Sequence, residues 1–160
     1  DDSSLYYGLG PGYWREAVHG LDFSSLEAKE LEQGKASQIR IEPGTLLASG
    51  QTLSRTEMRT VSGDGHFCEG VVEFEIQRTG TLTGFGAWFN AHLSPGVDLN
   101  TGPECPETHW AQTVLFCEPL ALKAGERLSV AYRLDRHPDE PRFALFELEW
   151  AGRSYRYQLE

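Results

Sequence analysis

Apolar and polar residues alternate with a period of two through most of the chain after Ser37. Val72, Phe74 and Ile76 alternate with Glu73, Glu75 and Gln77. Leu128, Val130, Tyr132 and Leu134 are separated by Ser129, Ala131 and Arg133. Phe146, Leu148 and Trp150 enclose Glu147 and Glu149, and Tyr155, Tyr157 and Leu159 enclose Arg156 and Gln158. Successive side chains of a strand point to opposite faces, so this period predicts strands with one dry and one wet face. Ala151-Gly152-Arg153-Ser154 predicts a tight hairpin between the last two. Residues 39–41, 46–59, 84–93 and 113–117 complete about eight short strands with Gly- or Pro-marked turns. This predicts a mainly β fold, an antiparallel β-barrel or sandwich. The polar residues between the apolar ones exclude a buried parallel sheet.

The first 34 residues follow another pattern. Residues 1–12, Gly-rich with Pro11, read as a connector. Residues 13–19 predict a short helix ended by Gly20. Ser24, followed three positions later by Glu27, is an N-cap signature for a second helix over 26–33, stopped at Gly34. The plan is a connector (1–12), a helical arm (13–36) and a β-barrel domain (37–160). Residues 94–107, with Pro95, Gly96, Gly102, Pro103 and Pro106, form the largest expected irregular stretch. Long connections in compact domains are often functional.

Composition narrows the function classes. The 160 residues suffice for one core, and 14 basic against 24 acidic residues give a net charge of −10. That balance argues against a nucleic-acid binder. Two readings of the charge stand: attraction of basic partners, or solubility alone. No apolar run approaches a membrane span, and no secretory signal is read at the N-terminus. Cys68, Cys105 and Cys117 are odd in number and read as reduced thiols, so a cytoplasmic location is expected, or a nuclear one in a eukaryote.

No general catalytic motif stands out. His66, Cys68, His92, Cys105 and His109 lack a metal-ligand spacing, so no metal site is expected. Glu104 and Glu107 read as solvated loop charges rather than an acid–base pair. Glu107-Thr108-His109-Trp110-Ala111-Gln112 stands where a Pro-rich loop enters a strand. His109 is a residue type that can pair with a carboxylate, and Trp110 offers a flat face to a planar cation. These two either form one wall of a cleft or are a strand-edge aromatic beside a surface histidine.

The segment Thr101-Gly102-Pro103-Glu104-Cys105-Pro106-Glu107-Thr108-His109-Trp110-Ala111-Gln112-Thr113-Val114 resembles the Thr-His-Trp loop of the protein arginine N-methyltransferases. Gly84-Phe85-Gly86-Ala87-Trp88-Phe89-Asn90 is similar to the family strand before it, and Pro119-Leu120-Ala121-Leu122-Lys123-Ala124-Gly125-Glu126 to the segment after it. Tyr13-Trp14-Arg15-Glu16-Ala17-Val18-His19-Gly20-Leu21-Asp22-Phe23-Ser24 resembles the start of the family's dimerisation arm. The four segments occur in family order across about residues 13–150.

The resemblance implies the C-terminal barrel of an S-adenosylmethionine-dependent methyltransferase, without its cofactor domain. No Gly-x-Gly-x-Gly cofactor turn, ribose-binding acid or double-glutamate hairpin is read here. The family's first barrel strand is absent or reduced to Leu5-Tyr6-Tyr7. The resemblance places Thr108, His109 and Trp110 in the catalytic cleft: His109 pairs with an acidic residue of the missing domain, and Trp110 lines the arginine pocket. It gives Tyr13, Trp14, Leu21, Asp22 and Phe23 to contacts with a neighbouring subunit, although Leu21 replaces a frequent aromatic. The implied partners are an arginine-containing protein substrate, a methyltransferase domain in cis or in trans, and a second subunit in the parent homodimer. No nucleic acid or membrane is implied. This chain is expected to bind no cofactor and to be inactive alone. The competing reading is a free-standing β-barrel scaffold that binds basic peptides or a methyltransferase partner.

Overall fold

A computed structural model describes residues 4–16, 19–34, 36–63, 67–140 and 142–159. Helix α1 (Ser4–Gly8), a 3₁₀ helix (Pro11–Arg15) and helix α2 (Ser25–Glu32) precede nine strands. These are β1 (Ala36–Ile39), β2 (Cys68–Glu75), β3 (Gly80–Ala87), β4 (Asn90–Ser94), β5 (Val97–Asn100), β6 (Gln112–Leu122), β7 (Arg127–Arg136), β8 (Ala144–Trp150) and β9 (Arg153–Leu159). One sheet has the order β1-β6-β3, a second β2-β7-β8-β9, and β4-β5 forms a separate hairpin. Among the described residues every strand pairing is antiparallel, and the architecture is barrel-like without a continuous ladder around it.

The period-two segments form strands because alternate residues reach a shared core. Leu128, Val130, Phe146, Leu148, Trp150, Tyr155 and Tyr157 are buried from the four-stranded sheet, and Val114, Leu115, Phe116 and Cys117 from β6. Phe85 of β3 meets Trp150 of β8 edge-on, ring centres 4.9 Å apart, and lies 6.1 Å from Phe74 of β2. These contacts join the two larger sheets. The register between β3 and β6 jumps between Leu82 and Gly84, whose partners are Leu120 and Phe116. Pro119 falls in this bulge, where the missing N–H breaks no regular ladder. Ala151 (φ 47°) and Gly152 (φ 74°) form the two-residue turn from β8 to β9.

Some local expectations change. Residues 46–59 form no strand, since side chains and a neighbouring loop take their carbonyls. Gln77 N–H donates to Leu47 O (2.8 Å), Arg78 to Leu46 O (3.3 Å) and the Tyr132 hydroxyl to Leu53 O (2.6 Å). The segment borders a groove of about 1710 Å³, lined also by Phe74, Phe85, Tyr132 and Phe146. The expected strand over 84–93 breaks after Ala87, and its second half pairs with β5 inside the expected irregular stretch. Pro95 and Gly96 lie between β4 and β5, with Gly96 at φ 77°.

The helix expected over 13–19 is a 3₁₀ helix that has ended at Glu16 (φ −89°, ψ 145°); Ala17 and Val18 lie outside the described residues. Leu5-Tyr6-Tyr7 is helical rather than a reduced strand. Helix α2 forms as expected, but Ser24 makes no side-chain cap. Asp22 Oδ1 instead accepts the Ser24 N–H at 2.9 Å. Gly34 (φ 70°) ends α2 close to β9, where a Cβ would stand 1.8 Å from Arg156 O.

Helix α1 rests on the barrel. Tyr6 is fully buried with its ring 6.3 Å from Phe116, and burying such a side chain contributes about 2–3 kcal/mol. No described helix is long and apolar enough to cross a membrane.

Candidate functional site

The connection from β5 to β6 carries Thr108, His109 and Trp110. Ala111 N–H donates to Thr108 O at 3.2 Å, and Ala111 adopts φ 49° to turn the chain into β6. This turn leaves His109 exposed and Trp110 half exposed. The Trp110 ring stands edge-on to Phe89, centres 5.9 Å apart, and His109 lies 6.4 Å from Trp110. The Thr108 hydroxyl oxygen is buried with no hydrogen-bond partner among the described residues. Phe89 also borders the inter-sheet groove, whereas Thr108, His109 and Trp110 do not line it.

Two buried polar side chains hold this corner. Gln112 Nε2 donates to Thr101 O (2.7 Å), and its Oε1 accepts the Ile41 N–H (2.8 Å). The Thr101 hydroxyl donates to Phe89 O (2.9 Å) and accepts the Phe89 N–H (3.1 Å). Thr101 N–H also donates to Phe89 O at 3.1 Å. Sequence reasoning assigned no role to Phe89, Thr101 or Gln112. Gln112 heading an apolar run was the available signal, since a buried polar group needs partners.

The arm residues separate into two groups. Trp14 packs edge-on against Tyr13 (5.2 Å) and Phe23 (6.1 Å), bringing those three together. Tyr13 and Leu21 stay exposed, as do Tyr7 and Leu9. Asp22 serves the local turn, and the Ser24 hydrogen bonds hold its carboxyl below the usual range. Glu27 ties the arm to α1: it accepts the Tyr6 hydroxyl at 2.6 Å and the Arg15 Nε–H at 2.7 Å.

The other candidates are dispersed. His92 pairs with Asp98 on the β4–β5 hairpin at 2.5 Å. Arg40 pairs with Glu107 at 2.8 Å, and Glu104 is exposed. Cys68 and Cys105 are half-buried; Cys117 is fully buried, and burial pushes its thiol up to about 12. His66 lies outside the described residues, among which no three His, Cys, Asp or Glu side chains converge as metal ligands.

The sequence does contain a Gly-x-Gly-x-Gly string, Gly8-Leu9-Gly10-Pro11-Gly12, contrary to the expectation of none. It joins α1 to the 3₁₀ helix instead of a strand to a helix. A Cβ at Gly10 would stand 2.6 Å from the Phe116 ring, and one at Gly12 2.4 Å from Tyr6. These glycines admit the chain's own aromatics.

Comparison with known proteins bears on the whole chain. A family model described as the arginine methyltransferase oligomerization subdomain matches residues 7–155. Human protein arginine N-methyltransferase 2 is 33% identical over 135 residues, covering 79% of this chain and 31% of that protein. The Xenopus tropicalis protein of the same name is 29% identical over 155 residues, covering 86% and 34%. A chain of the Trypanosoma brucei PRMT1 enzyme-prozyme heterotetrameric complex with AdoHcy superposes with a TM-score of 0.85 at 21% identity, over 100% of this chain and 53% of that one. Arabidopsis thaliana protein arginine methyltransferase 10 gives a TM-score of 0.72 at 18% identity, over 100% and 50%. At such identities these structures establish the fold. The chain spans about a third of these curated relatives and about half of the solved chains. The chain belongs to the arginine methyltransferase family, as its C-terminal barrel and oligomerisation subdomain.

Proposed function

We propose that this chain is the part of an S-adenosylmethionine-dependent protein arginine methyltransferase that walls the substrate cleft and joins subunits. The observation that carries this reading is the corner at Phe89, His109 and Trp110. It is fixed to the barrel from beneath and open to solvent above, on a chain whose family match runs from 7 to 155. The cofactor, which supplies the methyl group, is held by a separate domain, and the glycines of the string here pack against Phe116 and Tyr6. His109 pairs with a carboxylate of that domain. Trp110 presents its ring to the substrate guanidinium. The net charge of −10 favours approach of basic protein segments. Tyr13, Trp14, Leu21 and Phe23 dock on the cofactor domain of a second subunit, and Asp22 shapes the turn that presents them.

The test is transfer of labelled methyl groups from S-adenosylmethionine to an Arg-Gly-rich peptide. It is run with this chain alone and with the product of its complete reading frame. The chain alone transfers nothing. In the complete product, His109→Ala lowers kcat at least about tenfold, a loss of about 1.4 kcal/mol in the transition state, and Trp110→Ala raises KM. Activity of the chain alone, or wild-type kcat/KM in both variants, overturns the reading.

A further inference from the structure

We propose that Gln112 is a positioning residue for the Phe89–Trp110 corner, acting through Thr101. The proposal rests on the reading that residues 108–110 face the substrate, and it adds what holds them there. Thr101 and Gln112, 1% and 7% exposed, are the buried polar side chains among the described residues. Both act on this one junction.

Gln112 begins β6, with Ile39 as its ladder partner. Its side chain reaches past the end of β1 to the Ile41 N–H and back to the Thr101 carbonyl. Thr101, just after β5, grips Phe89 by both backbone groups, where the chain passes from β3 to β4. Asn100 Oδ1 fixes the next step by accepting the Gly102 N–H at 2.8 Å. A continuous line of hydrogen bonds thus runs from Ile41 through Gln112 and Thr101 to Phe89, whose ring supports Trp110. Burial keeps water from substituting for a lost partner, so each link is strongly specified.

A second tether, Arg40 to Glu107, joins the same loop, but both side chains are exposed (45% and 70%). Such pairs hold geometry weakly. Gln112 differs because its amide donates and accepts at once across a fixed span. Methionine fills similar space with neither function, and asparagine is one methylene too short.

The test needs no enzymatic activity. This chain is labelled with 5-fluorotryptophan, and the Trp110 fluorine resonance is assigned with Trp110→Phe. The nuclear Overhauser contact between the Phe89 and Trp110 rings is recorded alongside it. In Gln112→Met the Trp110 resonance moves by more than its linewidth and the ring contact is lost, while the Trp150 resonance holds. Thr101→Val gives the same change, and Arg40→Ala leaves Trp110 in place. If Gln112→Met does not fold, Thr101→Val decides. An unchanged Trp110 signal in the folded variants, or an equal shift in Arg40→Ala, overturns the proposal. A moved Trp110 signal together with a complete product in which Trp110→Ala is silent upholds the lock and refutes the substrate-facing reading.

Discussion

Replacing Glu27 by alanine tests what ties the arm to α1. The Tyr6 hydroxyl, on a fully buried side chain, donates to Glu27 Oε1 at 2.6 Å, and Arg15 Nε lies 2.7 Å from both carboxylate oxygens. Glu27→Ala leaves the Tyr6 hydroxyl without its acceptor, which costs about 1–3 kcal/mol. The ion pair adds little, about 0.2–1 kcal/mol, because Arg15 is 46% exposed. The combined loss is about 1–4 kcal/mol, a fall in Tm of roughly 3–15 °C for a domain of this size. Arg15→Ala removes only the pair and lowers Tm by about a third as much. Burial raises the Glu27 carboxyl pKa, but the hydrogen bonds from Arg15 and Tyr6 outweigh it and hold the pKa below the ordinary glutamate value. A group depressed in this way contributes stability above its unfolded pKa and loses it as pH falls through the folded value. The difference between wild type and Glu27→Ala is therefore full at pH 7 and shrinks below about pH 4. Scanning calorimetry at pH 7 and pH 3 reads both effects. A Glu27→Ala protein within about 0.5 kcal/mol of wild type at pH 7, or an Arg15→Ala protein equally destabilised, refutes the reasoning.

Further expectations concern the backbone and the thiols. Gly34→Ala puts a Cβ 1.8 Å from Arg156 O at φ 70°, so it costs at least about 2 kcal/mol, read as a lower urea midpoint. Ala151→Asn suits a turn in which Ala151 has φ 47° and gains on the order of 0.5–1 kcal/mol, seen as a higher Tm. Cys117, fully buried with its thiol pushed up to about 12, resists iodoacetamide in the native state; mass mapping finds label on Cys68 and Cys105 first.

Legibility followed the distance over which each element is determined. Strands β2, β7, β8 and β9 each have one wet face, so their period of two declares them locally. Residues 46–59 lack that period, and Gln77, Arg78 and Tyr132 take the carbonyls of Leu47, Leu46 and Leu53 from elsewhere in the chain. Pro95 and Gly96 read as breakers of structure, yet they connect a hairpin. Ser24 and Glu27 have capping-box spacing, but Arg15 and Tyr6 recruit Glu27 and Asp22 takes the cap. At the site, Thr108, His109 and Trp110 were visible through resemblance. Their supports were hidden because Gln112 meets Ile41 across 71 positions and Phe89 meets Thr101 across 12.

The proposed function pairs this barrel with a cofactor-binding domain. Sequencing the coding DNA upstream of Asp1 tests it most directly. The expected result is a reading frame that continues upstream and encodes a strand–turn–helix with a glycine-rich cofactor turn, followed by a hairpin bearing two glutamates. A start codon adjacent to Asp1, with no such domain upstream, contradicts it and leaves a free-standing barrel.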